Sequence, residues 1–249
     1  MREDFENHLK KELNRYKGVA FPVKSNILSR LITRKVSCLR LHPNPDDEFS
    51  KPEVGPSFRI ISEYEKKLRR EKDFDVKTVD DPIVAEKMHP DGYMIINGHH
   101  RWAAYYKLGY TLVPVSIVNL THEEDIRRML ENASNDKRVT LDLDEVVFCS
   151  SENEAAENKP GFPFGAFYKE RIRLGIPALF HYLQGMGYDI WVYSANFYSM
   201  DYIRSYLKKY HVDITGIVTG TSRNNRMSSE AKKDIDRMIA GKYRFTLHV

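Results

Sequence analysis

Apolar positions three or four residues apart alternate along the chain with short stretches of two-residue alternation, the pattern of a mixed α/β protein. Phe5, Leu9, Leu13 and Tyr16 recur at helical spacing among charges over residues 3–16, predicting an amphipathic helix that packs on the first domain or on a partner. A short helix over Ser25–Ile32 follows, with Ser25 as its cap. Lys35–Leu41 alternates as a strand and stops at Pro43-Asn44-Pro45. Helical spacing returns over Ser57–Arg70, with Phe58, Ile61, Tyr64 and Leu68 on the apolar side and a basic cluster, Lys66 to Arg70, that reads as a solvated face. Pro82–Lys87 and Tyr93–Ile96 form two strands joined through Pro90-Asp91-Gly92, and Val113–Val118 adds another. Thr121, with Glu124 three residues on, predicts a capping box and a helix to Glu131.

The polar, breaker-rich stretch Asn132–Lys137 interrupts this pattern and is the expected domain boundary. Beyond it, Arg138–Phe148 is a short strand running into Asp142-Leu143-Asp144, and Asp189–Asn196 is a second strand followed by a helix from Ser199 to Tyr210. Ala231-Lys232-Lys233-Asp234 stands ahead of another helix, and Arg244–Val249 is the final strand. The predicted organisation is a helical extension over 1–33, a first α/β domain over 34–132 and a second over 137–249.

A chain of 249 residues with 41% hydrophobic content can fill two such cores. Its 39 basic and 35 acidic residues give a net charge of +4, which permits nucleic acid or phosphorylated substrates as partners without demanding them. Cys38 and Cys149 stand alone in apolar surroundings and read as reduced, buried thiols. No apolar run approaches the ~20 residues that cross a bilayer, and the polar N-terminus lacks a signal-peptide core, so a cytoplasmic protein with no membrane partner is expected.

The densest chemistry lies in Asp91–Gly109. A turn feeds the apolar run Tyr93–Ile96, which breaks at Asn97-Gly98 into a helical segment ending at Gly109: strand, tight turn, helix. The first N–H groups of such a helix lack internal partners and carry the positive end of its dipole, so they favour an anion. Gly98 allows close approach to the backbone, while Asn97, His99, His100 and Arg101 supply donors at the same end, which suits phosphate. Adjacent helical residues point about 100° apart, so the two histidines do not chelate one metal; one contacting phosphate and the other packed or hydrogen-bonded to structure is the expected division. Asp46-Asp47-Glu48 reads on its own as a solvated acidic turn. Asp142 and Asp144, at period-two spacing, leave a strand end on one side, where a divalent cation and a phosphate fit between them.

Asn97-Gly98-His99-His100-Arg101, followed by Trp-Ala-Ala and Lys-Leu-Gly, resembles the phosphate-binding segment of the ParB/sulfiredoxin superfamily, over roughly residues 34–120. The double histidine before arginine is most similar to the nucleotide-dependent free serine kinases. Sulfiredoxins carry a reactive cysteine where this chain has His99, and chromosome-partitioning ParB proteins carry Gly-Glu-Arg-Arg and a following helix-turn-helix domain. The resemblance implies a mixed-sheet domain that binds a nucleotide (ATP, ADP or CTP). It also implies a catalytic glutamate on the loop after the first strand: Glu48, with Asp46 and Asp47 next, taking a proton from an acceptor hydroxyl or helping to hold Mg2+.

The order of elements over 138–249 resembles the haloacid dehalogenase superfamily of phosphohydrolases, a Rossmannoid three-layer α/β/α fold. That resemblance implies that Asp142 is the nucleophile, Asp144 the general acid and base, both of them Mg2+ ligands, Ser194 a phosphoryl contact, and Lys233 or Lys232 a compensating charge. Asp-Leu-Asp-Glu is most similar to members acting on phosphoproteins and polynucleotide ends, and Ser150–Gly175 is too short for a large cap domain. Members of the superfamily place one or two acidic Mg2+ ligands directly after the last strand, and the sequence stops at Val249 where these would begin, so the chain is expected to continue or to lack a metal ligand. The leading expectation is a two-domain phosphoryl-transfer protein, a kinase-like nucleotide-binding domain joined to a Mg2+-dependent phosphatase, with phosphorylated nucleic acid or protein as its substrate. The alternative is a nucleotide-gated, DNA-binding ParB-like module with a structural second half.

Overall fold

The computed structural model describes residues 2–26, 33–74, 79, 81–162, 164–220 and 229–249. The chain divides into two compact units, Met1–Asn119 and Leu120–Val249, each with its own hydrophobic cluster. This division falls ahead of the polar stretch Asn132–Lys137. The helix over Glu123–Glu131 (α4) accounts for the difference: its Ile126, Met129 and Leu130 are buried in the core of the second unit.

The first unit opens with α1 (Arg2–Arg15), whose Phe5 and Leu9 are buried in its core as the spacing predicts. Residues 27–32 of the expected helix at Ser25–Ile32 lie outside the described residues; Ser25 itself is fixed by Asn119, whose side chain bonds both its N–H and its carbonyl. The expected strand Lys35–Leu41 is broken in two, β2 (Arg34–Ser37) and β3 (Leu41–His42), by a 3-10 turn at Cys38–Arg40. The turn carries the chain from one edge of the sheet to the other. With β1 (Phe21–Pro22), β4 (Ile83–His89), β5 (Tyr93–Asn97) and β6 (Leu112–Ile117), the strands form a mixed sheet in the order β2-β6-β4-β5-β3, with β1 paired to β4. β4 and β5 are antiparallel through the Pro90-Asp91-Gly92 turn, while β4–β6 and β3–β5 are parallel. Two helices, α2 (Phe58–Phe74) and α3 (His99–Lys107), pack on each other, and Trp102, Ala103 and Ala104 of α3 are wholly buried.

The second unit is built on an all-parallel sheet in the order β10-β7-β8-β9, from β7 (Lys137–Asp142), β8 (Tyr188–Tyr193), β9 (Gly216–Val218) and β10 (Phe245–His248). Both faces of its inner strands are covered: β8 carries the continuous apolar run Ile190-Trp191-Val192, and in β7 Val139 and Leu141 alternate with buried Arg138 and Thr140. The helices α5 (Ile176–Gly185), α6 (Met200–Lys208) and α7 (Ser229–Lys242) complete it, with α5 packed on β8 and α4 on β9 and α7. Two local expectations change. Thr121 does not cap α4; its hydroxyl donates to the Ile217 carbonyl, and Asp125 accepts the His122 N–H instead. Ala231–Asp234 lies within α7 rather than ahead of it. No helix among the described residues is long and apolar enough to cross a membrane.

Candidate functional site

The backbone enters α3 through Gly98, at φ 97° and ψ 24°, a left-handed conformation that only glycine adopts without strain. The turn places the first N–H groups of α3 at the end of β5. Arg101 folds back over it: a Cβ on Gly98 would lie 3.0 Å from Nη2 of Arg101 and 3.3 Å from its Nε. Arg101 is buried at 6% exposure, donates from Nη1 to the Asp81 carbonyl at 2.7 Å, and keeps a buried Nε–H with no hydrogen-bond partner. Its guanidinium also lies 5.7 Å from the Tyr64 ring centroid. Asn97 is exposed at the last position of β5.

Both histidines do something that the sequence does not announce. Nε2 of His99 accepts the backbone N–H of Asn44 at 3.2 Å, and Nε2 of His100 accepts that of Ser57 at 3.1 Å. These two amides bracket the loop containing Asp46, Asp47 and Glu48, so the paired imidazoles moor both ends of the acidic loop to the start of α3. Phe49 fills the space between them, with ring centroids 5.4 Å from His99 and 5.0 Å from His100. Asp47 bends inward, its Oδ1 accepting the Phe49 N–H and lying 3.6 Å from Nδ1 of His99. Glu48 begins a 3-10 turn with its side chain exposed. Burial pushes the His100 pKa down, against the pull of Asp47, so the ring is held neutral as its acceptor role requires. Of the expected division of labour, the hydrogen bond to structure is made by both rings.

In the second unit, Asp142 ends β7 and Ser194 directly follows β8, and the register pairs Asp142 with Tyr193. Oδ1 of Asp142 accepts the N–H groups of Asp144 and Glu145 at 2.7 and 2.9 Å, capping a single π-helical turn over Leu143–Val147 that the Phe148 N–H closes on the Leu143 carbonyl. Asp144 reaches across to the end of β8. Its Oδ2 accepts from the Ser194 hydroxyl at 2.8 Å and from the Ala195 N–H at 3.1 Å, and its Oδ1 from the Asn196 side chain at 2.9 Å. Asp142, Asp144 and Ser194 thus meet at the carboxyl edge of the parallel sheet, beside β7, where the strand order reverses between β8 and β10. Ser194 is fully buried and its hydroxyl is engaged by Asp144. Lys233 is exposed on α7 and forms no ion pair with either carboxylate among the described residues. Among these residues no group of three or more His, Cys, Asp or Glu side chains comes together as a metal site. Cys38 is buried, with its thiol pushed up to about 12, whereas Cys149 is only half-buried; both are free thiols.

Asn196 and the amides of Asn44 and Ser57 are site residues that sequence reasoning passed over. Asn196 stood two positions beyond Ser194, where a strand-end side chain can turn back; the two amides left no signal, since any non-proline residue offers one.

A sequence profile of the ParB N-terminal domain matches residues 62–133. That segment takes in β4, β5, the Gly98 turn and α3. This part of the chain is ParB-like. An ATP-dependent L-serine kinase of Desulfurococcus mucosus is 31% identical over 86 residues, 30% of this chain and 32% of that protein. The chain thus matches about a third of the length of this relative.

Proposed function

We propose that the first unit is a nucleotide-dependent kinase acting on a small hydroxyl-bearing acceptor such as free serine, and that the second is a phosphohydrolase of the haloacid dehalogenase type. The observation that carries the first reading is the mooring of the acidic loop by His99 and His100 beside the Gly98 turn. It brings a carboxylate-bearing loop to a helix end suited to phosphate, the two parts that phosphoryl transfer needs. Asn97, Gly98 and the first N–H groups of α3 receive the nucleotide phosphates, with the unpartnered Nε of Arg101 3.3 Å from where a Cβ on Gly98 would lie. Glu48 takes the acceptor's hydroxyl proton while that oxygen attacks the terminal phosphorus of ATP and the bond to the departing nucleoside diphosphate breaks. The similarity to a serine kinase supports this assignment.

In the second unit, Oδ2 of Asp142 is the oxygen not held by the π-helical turn, and it is the proposed nucleophile. Asp142 and Asp144 together match the one or two carboxylates that Mg2+ uses beside a phosphorylated substrate, and the ion would neutralise phosphate charge there. Ser194 must turn from Asp144 to contact a phosphoryl group, so its present role is to position that carboxylate.

The test is transfer of labelled phosphate from ATP to L-serine. Glu48→Gln is expected to lower turnover by roughly 100-fold or more while nucleotide binding persists. Transfer that survives in Glu48→Gln overturns the assignment of the base. Release of phosphate from p-nitrophenyl phosphate with Mg2+, abolished by Asp142→Asn, tests the second unit separately. The ParB-like segment favours a second reading, a nucleotide-gated DNA-binding module with a structural second half. It predicts nucleotide binding without turnover and duplex affinity that falls steeply with salt.

A further inference from the structure

Between β7 and α5 the chain makes a long excursion, tied at its base by antiparallel bridges between Phe148 and Ile172 and between Ala156 and Arg173. Its far part presents three phenylalanines to solvent, Phe162 at 96%, Phe164 at 46% and Phe167 at 43% exposure. Folded proteins seldom expose apolar side chains in such a cluster unless something binds there.

The excursion is firmly built. Tyr168 is buried, stacked on Tyr206 of α6 with centroids 4.3 Å apart and rings 15° from parallel, and its hydroxyl donates to Ser205. The Tyr202 hydroxyl accepts the Lys169 N–H at 3.1 Å and donates to Glu170, and the Tyr210 hydroxyl donates to the Asn158 carbonyl at 3.0 Å. Gly165 lies so close to the Pro160 carbonyl that a Cβ would overlap it. Tyrosines thus hold the segment against α6 while its phenylalanines face outward.

Charge completes the pattern. Lys159 and Lys169 flank the phenylalanines in the sequence, and Lys208 and Lys209 stand at the end of α6, the helix that holds the segment; all four are exposed, and none forms an ion pair among the described residues. Nζ of Lys209 sits 3.4 Å from the Phe164 ring centroid. Of the neighbouring acids, Glu170 accepts from Tyr202 and Glu157 accepts the Gly175 N–H at 2.8 Å, which leaves the four lysines in excess over these two carboxylates.

We infer that this surface binds single-stranded nucleic acid, with unpaired bases stacking on Phe162, Phe164 and Phe167 and phosphates lying against the four lysines. Exposed rings interleaved with cations fit a chain that alternates flat apolar bases with anions, and they suit neither a neutral peptide nor a base-paired duplex, whose bases are already stacked. A tyrosine row joins the surface to the carboxylate pair. Tyr202 stacks with Tyr198 at 6.3 Å, and Tyr198 stands two residues beyond Asn196, whose side chain donates to Asp144, so a strand bound here would run toward that edge of the sheet. The inference does not depend on turnover at either site.

Binding of radiolabelled oligo(dT) and oligo(U), about 12 nucleotides long, to the whole chain tests it. Both are expected to bind more tightly than a duplex of equal length, with a log–log salt slope of about −3 for four phosphate contacts. Phe162→Ala/Phe164→Ala/Phe167→Ala is expected to weaken binding at least 100-fold with an unchanged thermal midpoint, since each lost stack is worth roughly tenfold. Phe74→Ala, an exposed phenylalanine of the first unit, should change nothing. Equal affinity for duplex, or undiminished binding by the triple variant, overturns the inference. So does a chain that ignores both oligonucleotides but loses self-association, or loses binding to phosphatidylserine vesicles, in the triple variant; that result would give the surface to a second copy or to a lipid headgroup. A preference between dT and U would assign the strand as DNA or RNA.

Discussion

At the scale of single residues, the candidate phosphate site depends on Gly98 and the two histidines after it. Gly98→Ala would hold a side chain at φ 97° and press its Cβ to 3.0 Å from Arg101, so it should cost about 1 kcal/mol or more of stability and weaken nucleotide binding, read by calorimetry. His100→Ala strips the acceptor from the Ser57 N–H and should cost about 1–3 kcal/mol if that amide finds no water. The strand–Gly98–helix geometry was legible because a glycine turn opening a helix is a local signal. The acceptor role of the histidines was not, because it joins His99 to a residue 55 positions away and His100 to one 43 away. Burial also lowers the His100 and His42 pKa values from their ordinary 6.5, which means that the folded chain resists protonation. Their contribution to stability is complete above pH 6.5 and is lost as pH falls through the lower folded values. The thermal midpoint should therefore drop on acidification from about pH 7 to 5, and the drop should shrink in His100→Asn.

At the scale of elements, α1 is more than an appended amphipathic helix. Its Glu12 is buried and accepts or shares a proton with Nδ1 of His42 at 2.7 Å, at the end of β3 just before the acidic loop. Phe5 meets Phe49, Phe58, Trp102 and Tyr106 edge-on or tilted, and His8 stacks on Tyr106 with centroids 4.1 Å apart. Glu12→Ala should cost about 1–3 kcal/mol through the buried imidazole N–H it leaves. Because β3 leads into the loop of Glu48, the same change should raise the KM of the proposed transfer reaction; an unchanged KM would confine α1 to stability. The helical spacing of 3–16 was readable from the sequence, as were most strands. The break of Lys35–Leu41 at Cys38 was not, since nothing in the alternation marks where a chain leaves one sheet edge for the other. In the second unit the Asp142-Leu143-Asp144 pattern was readable at a strand end. Its engagement by Ser194, Ala195 and Asn196 required the register of β7 with β8, which no single strand contains.

At the scale of the whole molecule, the two hydrophobic clusters share no residue, one drawn from Phe5 to Ile117 and the other from Ile126 to Tyr243. Composition allowed two cores, but the boundary followed from which core α4 enters, and that depends on tertiary packing. Ile95→Ala and Ile190→Ala each empty a fully buried position, at a cost of about 2–5 kcal/mol. Each should lower the unfolding transition of its own unit and leave the other in place, which differential scanning calorimetry would resolve; coincident shifts would mean that the units melt together. One further property follows from how the large rings are distributed. The chain has two tryptophans, Trp102 bonded to the Cys38 carbonyl in the first core and Trp191 bonded to the Tyr243 hydroxyl in the second. Both are fully shielded from water, so each unit carries a single tryptophan, which excitation near the red edge of the indole band separates from the tyrosines. Replacing either one with phenylalanine leaves an optical probe confined to the opposite half, and the emission shift on adding a nucleotide or an oligonucleotide would then tell which half has responded.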